Sequence, residues 1–280
     1  MSWRLRIRHV TGFSYPDSAY ASYNEARMTP MTVPWQITLH SHLEVQPPVA
    51  VWRYTDYWGT AVTAFDLQRG HQRMAVTATS LVETGDHEPP TATLSWPALR
   101  SAEQRDRYAE LLTPTPLTRV SADLVGEAAA VVDGAEPAEA AVALAEWVRE
   151  HVAYVPGSTG VRTNAQEAWT LRKGVCQDIA HLTVGLLRAV GIPARYVSGY
   201  LYPHVDAGIG DTVAGQSHAW VEWWVGDWVG HDPTNGIPIG HRHVLVARGR
   251  DYADVTPLKG VYNGPSGSHL GVTVEITRLA

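Results

Sequence analysis

The first pattern along the chain is an alternation of period two. In "WRLRIRHV" (3–10), Trp3, Leu5 and Ile7 fall on one side and Arg4, Arg6 and Arg8 on the other, which predicts a half-buried strand. Similar runs follow at "QITLHSHLEV" (36–45), "VAVWRY" (49–54), "TAVTAFDL" (60–67) and "RMAVTATSLVE" (73–83). Pro47-Pro48, Gly59, Gly70 and Gly85 separate them as turn signals. Residues 1–88 are expected to form an antiparallel, sandwich-like β domain. The period then changes. "DHEPPTATLSWP" reads as a linker, and "SAEQRDRYAELL" (101–112) as a short helix with Ser101 as N-cap, stopped by Pro114 and Pro116, so 89–117 is expected to be a connecting segment. From 118 to 280 a helical rhythm leads into mixed structure. Leu144, Trp147, Val148 and His151 share a helical face, with His151 read as a cap or solvent contact. The fold class is therefore α+β.

The longest helical signal carries the single cysteine of the 280 residues. Cys176, Ala180, Thr183, Leu187 and Val190 form one stripe. Gly191 stands where a C-terminal glycine belongs, and Pro193 prevents continuation, so the helix runs from about 175 to 190. Cys176 thus lies in the first turn, where amides are unpaired and the dipole is positive, a field that favours a thiolate and can hold an oxyanion. The plain alternative is a small buried hydrophobe. In the same turn, Asp178 complements the dipole and Gln177 could donate to an oxyanion.

A nucleophilic thiol needs a base and an orienter. "SHAWVEWWVGDWVGHDPTNG" (217–236) reads as a hairpin around Gly226-Asp227, with His218 opening its first strand and Asp232 closing its second. A two-residue loop would set Asp232 opposite Val221, on the wrong face for His218. A three-residue loop (225–227) pairs Trp224 with Trp228 and Trp220 with Asp232, which puts Asp232 diagonal to His218 on one face. A triad therefore requires the odd-length loop.

Composition narrows the possibilities. With 45% apolar residues and a net charge of −6, the chain can build a core and lacks the basic footprint of a nucleic-acid binder. No apolar run reaches the length of a membrane span, and the first residues lack a signal-peptide pattern, so the expected compartment is the cytoplasm. One cysteine supports neither an intramolecular disulfide nor a multi-cysteine zinc site. Thirteen histidines raise the metal question, with His204, His218 and His231 as a ligand set to weigh, while "HRH" (241–243) alternates as in a strand. Eleven Trp and twelve Tyr against two Phe suit a cleft as well as a sandwich core.

The motifs "GVCQDIAHLTVGLLRAVGIPARYVSGY", "SHAWVEWW" and "WVGHDPTNG", in that order, resemble the transglutaminase-like superfamily, which takes in transglutaminases and bacterial cysteine proteases. "IRHVTGFSY", Met28-Thr29-Pro30 and "DYWG" resemble the β-rich N-terminal domain of its bacterial members, and "ARGRDYADVTPLKGVYNG" the stretch after the core. Ser217 and His231 depart from the residues common before the histidine and the aspartate. The resemblance implies a papain-like core, with a nucleophile helix packed on an antiparallel sheet, which together with a C-terminal extension takes up 118–280. It makes Cys176 the nucleophile, His218 the base and Asp232 the orienter, with no cofactor. The backbone amide of Cys176 is the first oxyanion donor; Gln177 and Trp169 are candidates for the second, and Trp220 for packing or a substrate wall. Arg195 reads as a structural ion pair, Glu222 as a solvated strand charge, Asn164 as a helix cap, and Asn235-Gly236 as a turn whose asparagine could face the site. The implied activity is hydrolysis or transfer of an amide acyl group, on a peptide or protein substrate with an amide or isopeptide bond. A cross-linking transglutaminase and a non-catalytic peptide-binding module are the alternatives.

Overall fold

The computed structural model describes residues 2–88, 90, 92–215 and 217–280; Pro89 and Thr91 of the expected linker, and Met1 and Gln216, lie outside the described residues. In chain order the elements are β1 (Ser2–Ala26), β2 (Gln36–Gln46), β3 (Val51–Thr55), β4 (Ala61–Leu67), β5 (His71–Gly85), α1 (Trp96–Leu99), α2 (Ala102–Arg107), α3 (Ala109–Leu112), α4 (Ala122–Val131), α5 (Pro137–His151), β6 (Ala153–Tyr154), α6 (Ala165–Leu171), β7 (Lys173–Gly174), α7 (Cys176–Val190), β8 (Ala194–Leu201), β9 (Thr212–Gly215), β10 (Ser217–Trp224), β11 (Trp228–Asp232), β12 (Ile237–Pro238), β13 (His243–Gly249), α8 (Tyr252–Val255), β14 (Leu258–Asn263) and β15 (His269–Arg278).

The first strand organises the β-rich half. Its alternation is realised, with Trp3, Leu5 and Ile7 buried and Arg4, Arg6 and Arg8 exposed. But β1 is far longer than the eight residues that alternate in the sequence. Its first half lies between β5 and β15, in the order β2-β5-β1-β15-β9, and its second half pairs with β4 and β14. The register breaks between Ser14 and Ala19 and again between Tyr20 and Tyr23, where Ala21 takes φ 48°. Such a bulge bends a strand and lets it serve two layers. Between the layers Phe65, Met74, Val76, Leu43 and Met28 form a separate apolar cluster. The stretch 258–278 also belongs here by pairing: β14 and β15 both add to β1.

The second half is a five-stranded antiparallel sheet, β12-β11-β10-β8-β13. α7 lies against β8 and β10, and Ile179, Leu182 and Leu186 join Ala219, Val221 and Trp223 in the main core. The helix begins at Cys176 and stops at Gly191, whose φ of 93° is a left-handed value that L side chains rarely adopt. Buried Arg188 ties the helix end to its surroundings, donating to the carbonyls of Ala194, Thr113 and Arg250. The expected helix over 101–112 is split in two at Tyr108, whose ring packs 4.9 Å from Trp224 and 5.6 Å from Trp228. Ser101 caps α2 and Asn164 caps α6 with Glu167 as its capping-box partner, as their positions in the sequence imply.

Candidate active site

The hairpin β10–β11 adopts the odd-length connection. Trp224 pairs with Trp228 and Val221 with His231, leaving residues 225–227 as the loop. Extending this register by one residue sets Trp220 against Asp232, so Asp232 lies diagonal to His218 on the same face. The two side chains meet: His218 Nε2 is 2.7 Å from Asp232 Oδ2. His218 Nδ1 is therefore the nitrogen left for the thiol. Cys176 is half-buried and close enough to this imidazole to help raise its pKa.

Asp232 is fully buried and well supplied with donors. Oδ1 accepts the amides of Thr234 (3.0 Å) and Asn235 (3.2 Å). Oδ2 accepts from His218, from the Asn235 side-chain amide (2.7 Å) and from His243 Nε2 (3.3 Å). Burial alone would raise its pKa, but the bonds from His218 and His243 outweigh that and hold the carboxyl well below the usual range. Carrying no proton itself, it accepts the Nε2–H of His218. For His218, burial pulls the pKa down; the bonds to Asp232 and Cys176 overcome it and push the pKa up to about 10. The ring is thus poised as an imidazolium beside the sulfur. Tyr154, 47% exposed, and buried Tyr196 flank the thiol; both phenols are raised by burial and by the charge of Cys176.

In the first turn of α7 the Val175 amide and the Thr159 hydroxyl donate to Asp178 Oδ2 at 2.8 and 2.5 Å, while Oδ1 is buried without a hydrogen-bond partner among the described residues. Burial raises the Asp178 pKa despite these bonds. The helix geometry leaves the amides of Cys176 and Gln177 pointing out of the N-terminus. The Gln177 side chain is engaged elsewhere, donating to Val161 O at 3.2 Å. Trp169 packs at a tilt against Trp147 (4.7 Å), with the Arg172 guanidinium over its ring (3.6 Å). Trp220 is wholly buried, its ring 6.3 Å from that of His218 and 5.4 Å from that of His243.

Glu222 is not the solvated charge that its strand position suggested. It is buried between Arg195 (2.6 Å) and Arg248 (2.8 Å), and these cations, working against burial, push its pKa down to about 2. Arg195 makes the expected ion pair and also covers the Trp228 ring at 3.7 Å. Asn235 both forms the turn and serves the site. His151 caps, its Nδ1 on Trp147 O at 2.8 Å. His204 and His231 do not join His218: His204 is exposed, and His231, next to Asp232 and so on the other face of β11, packs at a tilt against Trp223 at 5.5 Å. Among the described residues, the ligand atoms that converge within 4.8 Å are those of His218, Asp232 and His243. Their 2.7 and 3.3 Å spacings are hydrogen-bond distances, and Asn235 shares the same oxygen. In the sequence, His243 stands out only through its two-residue step from His241 in "HRH".

Residues 127–233 match the transglutaminase-like superfamily, and residues 5–83 the bacterial transglutaminase-like N-terminal region. A protein of Mycobacterium leprae, itself uncharacterized, is 46% identical over 278 residues, covering 99% of this chain and all of that one. The chain belongs to the transglutaminase-like superfamily. Within it, the Pseudomonas aeruginosa protein-glutamine gamma-glutamyltransferase is 35% identical over 153 residues, half of this chain and 22% of that protein. The crystal structure of a putative cysteine protease from Cytophaga hutchinsonii superposes with a TM-score of 0.76 at 22% identity, over 99% of this chain and 98% of the other, and so shares the fold. The superfamily match ends at residue 233, just past Asp232, and takes in Cys176 and His218.

Proposed function

We propose that this transglutaminase-like protein is a cysteine-dependent enzyme that cleaves or transfers the acyl group of an amide, with a peptide or protein side chain or backbone as substrate. The observation that carries this reading is the imidazole of His218, bonded to Asp232 at 2.7 Å through one nitrogen and engaged with the Cys176 sulfur. His218 takes the thiol proton, and the thiolate attacks the amide carbonyl carbon. The resulting oxyanion lies within the field of the Cys176 and Gln177 amides. As the C–N bond breaks, the imidazolium protonates the departing amine or ammonia and a thioester remains. A second nucleophile, deprotonated by His218, then releases the acyl group and restores the thiol. Asp232 keeps the imidazole oriented and its cation stabilised throughout.

Water is the favoured acceptor, giving a peptidase or amidase. Transfer to an amine is the second reading, favoured by the similarity of half the chain to a gamma-glutamyltransferase. Incubation with glutamine-containing and isopeptide-linked peptides, with and without a primary amine, separates the two: free acid marks hydrolysis, and amine incorporation marks transfer. A thioester on Cys176, seen by mass spectrometry after acid quench, supports both. Turnover that survives Cys176→Ala overturns both, and stoichiometric peptide capture without turnover favours a binding module.

A further inference from the structure

We propose that His243 is a positioning residue for Asp232, and through it for His218. The inference rests on the acyl-transfer reading above. His243 opens β13, which β10 and β8 separate from β11, yet its Nε2 reaches Asp232 Oδ2 at 3.3 Å. Its other nitrogen faces the Gly240 amide at 3.2 Å. An amide N–H can only donate, so Nδ1 carries no proton and Nε2 must be the protonated nitrogen. The ring is 1% exposed, and burial holds its pKa below the usual histidine value, against the pull of Asp232. His243 is therefore a neutral donor with both polar edges matched.

A purely space-filling residue here would be Phe or Leu, which needs no partners. An imidazole buried this deeply is tolerated because each nitrogen has a partner. The neutral form matters as well. Arg or Lys at this position would place a second full charge on Asp232 and weaken its hold on the imidazolium. Neutral His243 fixes the direction of Oδ2 and leaves the negative charge to His218. The charged groups facing it are Asp232 from β11, His218 from β10 and the neighbouring Arg242. The sheet is shaped to allow the arrangement. Gly199 of β8 pairs with both His218 and Leu245, and a Cβ on it would come within 2.6 Å of Trp220, whose ring occupies that space beside both imidazoles. His243 lies beyond residue 233, where the superfamily match ends.

Two measurements test the proposal without a substrate. In wild-type protein with ¹⁵N-labelled histidine, NMR should show His243 with one protonated nitrogen, Nε2, at neutral pH; a proton on Nδ1, alone or in addition, overturns the proposal. Iodoacetamide alkylation of Cys176 at pH 6 reports the paired thiolate. It should slow about tenfold in His243→Phe, the scale of losing a hydrogen bond to a charged group, and recover to within about threefold of wild type in His243→Gln, which can still donate. With a substrate in hand, the loss should fall on kcat rather than KM. A folded His243→Phe protein with the wild-type alkylation profile overturns the proposal while leaving the acyl-transfer reading intact. Wild-type protein that resists alkylation at pH 6 instead removes the paired thiolate on which both depend.

Discussion

Trp224 lies directly opposite Trp228, and this one cross-strand pair determines which face of the β10–β11 hairpin Asp232 occupies. Because side chains alternate along a strand, a one-residue slip would carry Asp232 away from His218. Inserting one alanine between Val229 and Gly230 keeps Trp224 opposite Trp228 but moves Asp232 one position along β11, which produces that slip. An unpaired thiol titrating near ~8.5 is only about 0.3% thiolate at pH 6, so alkylation of Cys176 at that pH should fall by roughly two orders of magnitude. Inserting Gly-Gly after Gly226 lengthens the loop but keeps its parity, and should leave most of the reactivity. Equal behaviour of the two variants would show that register is not what places Asp232.

The sequence carries that register because loop parity and side-chain alternation are local rules. For the same reason it carries the position of Cys176: Gly191 and Pro193 fix the end of α7, and counting back along the stripe puts the thiol in its first turn. What it does not carry is set by pairing across long separations. Nothing near Leu5 announces that Arg278 will lie beside it, so 258–278 read as an extension of the core rather than as two strands on β1. Glu222 read as solvated because its partners come from other strands. Arg195 is its direct neighbour across β8, and Arg248 arrives with β13. His243 was missed for a like reason, since its partner Asp232 comes from a strand that β10 and β8 separate from its own.

Gly199 tests the packing that supports the site. A methyl group there would sit 2.0 Å from the Val244 carbonyl and 2.6 Å from the Trp220 ring. Backbone cannot yield as a flexible side chain can, so Gly199→Ala should cost about 1–3 kcal/mol or more, in the manner of an overpacked core. Urea unfolding measures this, and the same variant should slow alkylation at pH 6 as Trp220 is displaced from the imidazoles. A midpoint equal to wild type would mean that β8 and β13 can part without cost.

Glu222 separates stability from chemistry. Glu222→Gln leaves the buried guanidiniums of Arg195 and Arg248 without their counter-charge, and should destabilise the fold by about 3–5 kcal/mol at pH 7. The pH dependence has a definite sign. The folded pKa, about 2, lies below the ordinary 4.5, so the carboxylate's contribution is complete above pH 4.5 and disappears as the pH falls toward 2. The gap between wild type and Glu222→Gln should therefore close on acidification through that window. Where the variant remains folded, Cys176 should alkylate at the wild-type rate; a slowed rate would assign Glu222 to the reactive centre.

Asp232→Asn removes charge while nearly preserving shape, and so isolates the electrostatic part of the site. In the wild type the folded pKa of His218, about 10, lies above its ordinary 6.5. A raised histidine pKa means that the partners' stabilisation is complete below pH 6.5 and is lost as the pH climbs through 10. The melting-temperature difference between wild type and Asp232→Asn should thus be greatest below pH 6.5 and shrink toward pH 10. Reactivity follows the same charge. Without the carboxylate the imidazolium is destabilised, the thiol holds its proton, and alkylation at pH 6 should drop. Turnover should fall by about 10⁴, the scale seen when the acid of a Ser-His-Asp triad is replaced by its amide. A stability gap that widens with rising pH would reverse the sign and rule out a cationic His218 as the species that Asp232 holds.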